Sequence, residues 1–244
     1  MAGRARTLKD GGRRRRLAFA PAAAVLAAMG VLAGCGGGSS SGNGLTAKTP
    51  AQIVAAARNA ATSAATVAVA GSILIGRTPI SVHMELVSGK GGQGRIALEG
   101  IDIALVEVDD SVYMNSSAAF YSRFTGASVA RRLSGKWLKG SARGVALRPF
   151  ASLTNLRELL GTLLSAHGSL SRARSAKVAG QTAIAVTDRS VGGTLYVANS
   201  GTPYPLAIVQ RGTRHGKLSF SKWNQPVSLE PPVGAINIKQ LQRR

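Results

Sequence analysis

From residue 49 onward the hydrophobic spacing of the chain changes several times. Ile53, Val54, Ala57, Ala61 and Ala64 recur at helical intervals with Arg58 on the other side. Thr49-Pro50 precedes them, a capping residue and then a proline at the first helical position, so a helix is predicted to about Ala64. The period then drops to two. Residues 66–75 read as a strand, and over 79–87 Ile80, Val82, Met84 and Leu86 share one face while Ser81, His83 and Glu85 share the other. The glycine-rich stretch 88–94 is expected to turn the chain. Strands follow at about 95–99, 101–108 and 111–115, with Asp109-Asp110 as a tight turn. Residues 117–133 read as helical, with Phe120, Phe124, Val129 and Leu133 as apolar positions, and Gly135-Lys136-Trp137-Leu138 reads as a short strand. A second helix is predicted over 151–166 from Leu153, Leu156, Leu159, Leu160, Leu163 and Leu164, ending at His167-Gly168. Six more strands are predicted, at about 171–178, 181–188, 193–198, 204–211, 215–222 and 226–229. The apolar tail 235–241 is expected to dock on the body.

The predicted order is helix, five strands, two or three helices, then six strands. Hairpin-length loops imply antiparallel pairing, and strands do not alternate with crossover helices, which disfavours a doubly wound sheet. The expected class is α+β: a single curved antiparallel sheet of about 11 strands, a half-open barrel, with helices covering its concave face. A sheet of that width curls rather than staying flat.

Ahead of this domain the pattern is that of an export signal. Arg4, Arg6, Lys9, Arg13, Arg14, Arg15 and Arg16 stand against one acid, Asp10, and an apolar run extends from Leu17 to Leu32. That run is shorter than the roughly 20 residues needed to span a bilayer, and small residues follow it. The arginine run before Leu17 also loosely fits a twin-arginine export route. Leu32-Ala33-Gly34-Cys35 resembles the bacterial lipobox, in which the cysteine thiol is acylated and becomes the mature N-terminus. The chain's single cysteine sits at the one position that motif requires. The expected division is a signal peptide over 1–34, a lipidated Cys35 with a Gly/Ser tether to residue 48, and a folded domain over 49–244. The tether, Gly36–Gly44, reads as flexible.

This division changes the meaning of the charge. The whole chain carries 31 Lys+Arg against 10 Asp+Glu, a formal +21, which on its own would suggest nucleic acid. The signal takes 7 bases and 1 acid with it, and the remaining chain keeps 24 Lys+Arg against 9 Asp+Glu, a net +15. A domain held on the outer face of the cytoplasmic membrane meets anionic headgroups and wall polymers rather than a genome, so no nucleic-acid partner is expected.

Catalytic and metal-binding patterns are scarce. Gly89-Lys90-Gly91-Gly92-Gln93-Gly94 satisfies G-x-G-x-x-G, but Arg95-Ile96-Ala97-Leu98-Glu99 after it reads as strand, where a dinucleotide site needs a helix. Ser219-Phe220-Ser221-Lys222 fits S-x-x-K inside a strand pattern and lacks the partner motifs of acyl-serine enzymes. His83, His167 and His215 stand apart, with His83 and His215 expected on solvent faces. Asp109-Asp110, and Asp102 with Glu107, are the only local acidic groupings. Trp137 and Trp223 read as packing anchors. One cysteine excludes a disulfide framework and a multi-cysteine metal site. No enzyme activity, cofactor or metal is expected.

Several phrases resemble the LppX/LprG-type lipoproteins, which share a fold with the LolA and LolB carriers. They are Gly100-Ile101-Asp102-Ile103 leading to Val112-Tyr113-Met114-Asn115, then Gly135-Lys136-Trp137-Leu138, Thr194-Leu195-Tyr196-Val197, and Pro203-Tyr204-Pro205-Leu206-Ala207-Ile208. The closing phrase is Phe220-Ser221-Lys222-Trp223-Asn224-Gln225-Pro226-Val227 running to Pro231-Pro232. The likeness spans about residues 50–238 and rests on scaffold residues. It implies a half-open barrel with an apolar cavity between sheet and helices, and a lipid or acylated glycolipid as ligand. Cavity candidates are Val82, Met84, Ile96, Leu98, Ile103 and Leu105 from strands, with Leu156, Leu160 and Leu163 from the covering helix. An alternating apolar face is equally what a plain core shows. Arg123, Arg131, Arg132 and Lys136 are candidates for a basic rim that meets an anionic headgroup, and Gly126, Gly135 and Gly140 for hinges. The expected function is a membrane-anchored envelope lipoprotein that binds, and transfers, lipid, with an envelope transporter as a further partner. The alternative is a non-catalytic envelope scaffold binding a protein or an anionic wall polymer through its basic surface.

Overall fold

The computed structural model describes residues 42–75, 77–165, 168–190, 192–211 and 215–241. Cys35, the signal, most of the tether and His167 lie outside the described residues.

The chain begins its fold earlier than Thr49. Leu45–Ala47 forms a 3-10 turn, and the Leu45 side chain is buried. Helix α1, Pro50–Ser63, follows. The Thr49 hydroxyl accepts from the Gln52 amide, and the Gln52 side chain accepts from the Thr49 amide. This reciprocal pair satisfies two amides that the first turn leaves open. Ile53, Val54, Ala57 and Ala61 form the buried side of the helix.

The first five strands are β1 Thr66–Ile75, β2 Thr78–Val87, β3 Gly91–Leu98, β4 Ile101–Val108 and β5 Ser111–Ser116. Short helices α2, Ala118–Tyr121, and α3, Ala127–Leu133, lead to β6, Leu138–Ser141. Helices α4, Arg148–Thr154, and α5, Leu156–Leu163, precede the second run of strands. These are β7 Leu170–Val178, β8 Gln181–Asp188, β9 Gly193–Ala198, β10 Pro205–Gln210 and β11 Gly216–Ser221. The tail supplies β12, Ile236–Asn237, and α6, Ile238–Leu241.

The 12 strands of the described residues form one open sheet in the order β12-β6-β5-β4-β3-β2-β1-β11-β10-β9-β8-β7. Every pairing is antiparallel except β12 on β6, so the sheet is mixed rather than purely antiparallel. Because β1 pairs with β11 as well as β2, the two runs of strands join side by side into one surface.

Register places the apolar positions in rows across the concave face. One row runs Leu218, Gly71, Val82, Ile96, Ile103, and its neighbour runs Phe220, Val69, Met84, Gly94, Leu105, Met114. Two glycines in these rows are required by close backbone approach. A Cβ on Gly71, at φ +138, would stand 2.0 Å from the Lys217 carbonyl oxygen; one on Gly94, at φ +152, would stand 2.0 Å from that of His83. These glycines let neighbouring strands crowd where the sheet bends, and they remove two side chains from its concave face.

Several predicted boundaries move. The turn expected over 88–94 is confined to about 88–90, and Gly91, Gly92 and Gly94 are ladder residues of β3. The helix predicted over 151–166 is two helices, because Asn155 ends α4 and caps α5, its Oδ1 accepting from the Glu158 amide at 3.1 Å. Phe124, read as an apolar position of a helix, lies in the turn between α2 and α3 and is 72 % exposed. Residues 226–229 form no strand.

Candidate functional site

The concave face meets α4 and α5 across an apolar cavity of about 140 Å³. Its floor comes from β1–β4 and β11, including Val82, Met84, Ile96, Leu98 and Ile103; its roof is Phe150 and Leu153 of α4 with Leu159 and Leu163 of α5. Every lining side chain is a Val, Ile, Leu, Met or Phe. Such a space stays dry, since a water needs two or more polar partners.

Helix α5 is apolar on two adjoining stripes, which explains how it both packs and roofs the cavity. Leu156, Leu160 and Leu164 recur every four residues and are fully buried. Leu159 and Leu163 lie one position earlier in the turn, half-buried, and face the cavity. A second, smaller cavity of about 80 Å³ opens at the C-terminal end of α5, beside Leu163 and Leu164, between α1 and strands β7–β10. Val54, Leu170, Val186, Leu195 and Ile208 line it, with Ser165 and Asp188 as polar members. Leu163 borders both cavities. Ile208 of the second cavity pairs across the ladder with Leu218 of the first.

One carboxylate lies on the concave face beside the roof. Glu107 is on β4, and its Oε2 accepts a short hydrogen bond from the hydroxyl of Thr154, which is fully buried at the end of α4. Burial pushes the Glu107 carboxyl above the ordinary glutamate range; the Thr154 hydroxyl opposes this, and the charges of Asp110 and Glu158 add to it. Gly92, in register with Glu107, lies under the Thr154 carbonyl oxygen, which would be 3.3 Å from a Cβ there. A glycine at this place lets the end of α4 settle onto the sheet.

Of the nine cavity candidates, Val82, Met84, Ile96, Leu98, Ile103 and Leu163 border the cavity. Leu105, Leu156 and Leu160 lie instead in close-packed core, at most 1 % exposed. Val69, Ile73, Ile80 and Leu218 of the floor and Phe150, Leu153 and Leu159 of the roof lie outside the candidates. Ile80 shares the face of Val82 and Met84, so the same alternation could have named it.

The four rim candidates do not border the cavity. Arg123 pairs with Glu99 at 2.9 Å. Arg131 and Arg132 are exposed in the last turn of α3, where cations oppose the negative end of the helix dipole. Lys136 is exposed beyond that helix. Of the hinge candidates, Gly126 and Gly135 flank α3 rather than the roof. Gly140 is packed in β6 under Leu147 and Ile238, whose methyl carbons would lie 2.7 Å from a Cβ there.

His83 and His215 are exposed. Among the described residues no three His, Cys, Asp or Glu side chains gather as a metal site would require. No described helix is long and apolar enough to cross a membrane.

No family model and no curated protein matches the sequence. Solved structures do. LprF from Mycobacterium bovis superposes with a TM-score of 0.52 at 13 % identity, over 76 % of this chain and 97 % of that one. The lipoprotein LppX from Mycobacterium tuberculosis gives 0.45 at 15 % identity, over 74 % of this chain and 98 % of that one. The open sheet of 12 described strands with its helical roof shares the fold of LprF.

Proposed function

We propose that this chain is an envelope lipoprotein, anchored through an acylated Cys35 on the outer face of the cytoplasmic membrane, whose domain binds the acyl portion of a lipid or glycolipid. The observation that carries this reading is the wholly apolar cavity under α4 and α5. The lipobox-like Leu32-Ala33-Gly34-Cys35 and the fold give it further support. Binding is non-covalent: methylenes leave water for the cavity at about 0.8 kcal/mol each. Transfer between membranes, and an envelope transporter that receives the ligand, belong to the same reading.

Volume constrains the mechanism. An apolar cavity of roughly 150 Å³ holds one benzene, so the closed cavity takes a short segment of chain and not a whole fatty acid. Loading therefore requires the roof to lift. The α4–α5 junction at Asn155 is where the roof can bend, because no helical hydrogen-bond ladder is continuous through it.

The small closed volume favours a second reading, a non-catalytic scaffold that binds a protein or wall polymer through its basic surface. Native mass spectrometry of the purified mature protein separates the two. Co-purified lipid, or uptake of added fatty acid or phospholipid at 1:1, supports the carrier; a lipid-free protein that takes up neither leaves the scaffold.

A further inference from the structure

The N-terminal segment is strapped to one corner of the domain. The Asn43 amide donates to the Asn199 carbonyl at 3.0 Å, and its Nδ2 donates to the carbonyls of Ala198 at 2.9 Å and Gly201 at 3.0 Å. Leu45 is buried against Ile184, Val186 and Val197. A single Arg172 guanidinium nitrogen on β7 donates to the carbonyls of Leu45, Thr46 and Lys48. The hold of the domain on its N-terminal segment therefore begins at Asn43 and not at Thr49. Cys35 to Asn43 is eight residue steps, at most about 29 Å when fully extended.

The corner so leashed has a distinctive charge. It comprises the strap, the β7–β8 hairpin and the β9–β10 loop, which share one end of the sheet: the Asn199 amide donates to Thr182, and Thr182 pairs with Lys177. The sequence holds no Asp or Glu from Gly42 to Met84, from Leu170 to Thr187, or from Gly193 to Leu229. Lys48, Arg174 and Lys177 are exposed there, and none forms an ion pair among the described residues. β7 is also an open edge of the sheet.

We propose that this corner is a docking surface for anionic phospholipid headgroups, so that the domain rests on its own membrane by the β7–β8 end rather than hanging free. The proposal rests on the anchoring of Cys35 in the reading above. Lys48, Arg174 and Lys177 supply the attraction, and the short leash keeps them within reach of the headgroups. Basic side chains on an open edge also discourage strand addition; a corner with that role alone has no dependence on lipid charge.

Acylation consumes the Cys35 thiol, so an introduced cysteine is the sole free thiol of the mature lipoprotein. Ser200→Cys places a dye in the β9–β10 loop, and His215→Cys places one before β11, at the opposite end of the sheet. The full acylated protein is reconstituted into vesicles of phosphatidylcholine alone or with phosphatidylglycerol, and energy transfer to an acceptor at the bilayer surface is read. Transfer is expected to be higher from position 200 than from 215 in the anionic vesicles, and the difference should shrink in neutral vesicles and at high salt. Arg174→Gln with Lys177→Gln should lower the docked-to-free ratio roughly 25-fold. Equal transfer in both vesicle types, or an unchanged ratio in the double variant, would overturn the docking while leaving the anchor intact. A mature chain whose mass shows no acyl group on Cys35 would overturn the anchor reading itself, and the docking with it.

Discussion

Leu163 is the side chain on which the cavity argument can be tested most sharply, because it borders both cavities. Leu163→Ala removes the partition and adds its own deleted volume, which roughly doubles the continuous apolar space. The cost in stability should be small for a leucine of the core region. Leu163 is half-buried and already faces two voids, so it has fewer packing contacts to lose than Leu160, which is fully buried one turn earlier. Large-to-small changes of buried leucine cost about 2–5 kcal/mol, which puts Leu163→Ala at about 2 and Leu160→Ala at about 4.

For a domain of this size each kcal/mol moves Tm by about 2–4 °C. Leu163→Ala should then lower Tm by about 4–8 °C and Leu160→Ala by about twice that, in delipidated protein followed by circular dichroism. Ligand uptake should move the other way. Native mass spectrometry against fatty acids of increasing length should show Leu163→Ala accepting longer chains than the parent, with affinity rising about fourfold per additional buried methylene. If Leu163→Ala costs as much as Leu160→Ala and gains no longer ligand, the region around Leu163 is close-packed and the two-cavity geometry is wrong.

Val82→Phe should place a ring in the cavity, block fatty-acid uptake and leave Tm within a few degrees of the parent; a large fall in Tm would mean that the space is absent. Glu107 gives a pH test. Its carboxyl is raised above the ordinary glutamate range mainly by burial, so the folded state keeps a proton that the unfolded chain has already released. Stability therefore falls as pH rises through that window, and Glu107→Gln should flatten the fall in denaturant titrations across pH 4–8. Gly94→Ala forces a Cβ against the His83 carbonyl at a positive φ and should cost more than about 2 kcal/mol, read in the same titrations. Arg172→Gln should speed amide exchange in residues 43–48 by about tenfold or more while the central strands keep their protection.

Several strands were readable to the residue. β1, β4, β8 and β9 fall at 66–75, 101–108, 181–188 and 193–198, where short runs rich in apolar and β-branched residues are bounded by turn residues; β8 buries Ala183 to Val186 in succession, so its signal was the bounded run and not alternation. Glycine was harder to read. Gly91, Gly92 and Gly94 looked like turn residues, yet they stand in the ladder opposite Val87, Leu86 and Met84, where the backbone of a neighbour leaves no room for a Cβ. The helix break at Asn155 had a signal in Asn155-Leu156-Arg157-Glu158, a capping residue with glutamate three positions on, hidden inside an uninterrupted leucine pattern. The parallel β12–β6 pair had none, since two residues of tail carry no period and their partner lies about a hundred residues away. The strap was obscured by composition: a Gly/Ser segment reads as free linker, and only the fold reveals the carbonyls that Asn43 bonds.

The same limit applies to the cavity. Alternation identifies which face of a strand is apolar, and it does so equally for a filled core and for a void. Of the nine candidates, the three that lie in close-packed core differ from the other six in no local property. Leu105 shares a concave face with Ile103, and Leu160 shares a helix with Leu163. What separates them is where the roof leaves the sheet.

That separation also limits how the roof can open. If loading displaced all of α5, the fully buried stripe of Leu156, Leu160 and Leu164 would be exposed, at about 2–3 kcal/mol for each side chain. Turning the helix about that stripe moves only Leu159 and Leu163, which are half-buried, and the cost is a few kcal/mol in total. Burial of about ten methylenes returns roughly 8 kcal/mol. The turn is therefore affordable and wholesale displacement is marginal. Glu107 and Gly92 hold the Thr154 end against the sheet, so the motion is expected at the Leu163 end, beside the second cavity, where it has to slide α5 along α1. A carrier built this way admits its ligand between α5 and strands β7–β10, and a disulfide joining that end of α5 to the sheet should stop uptake under oxidising conditions and restore it on reduction.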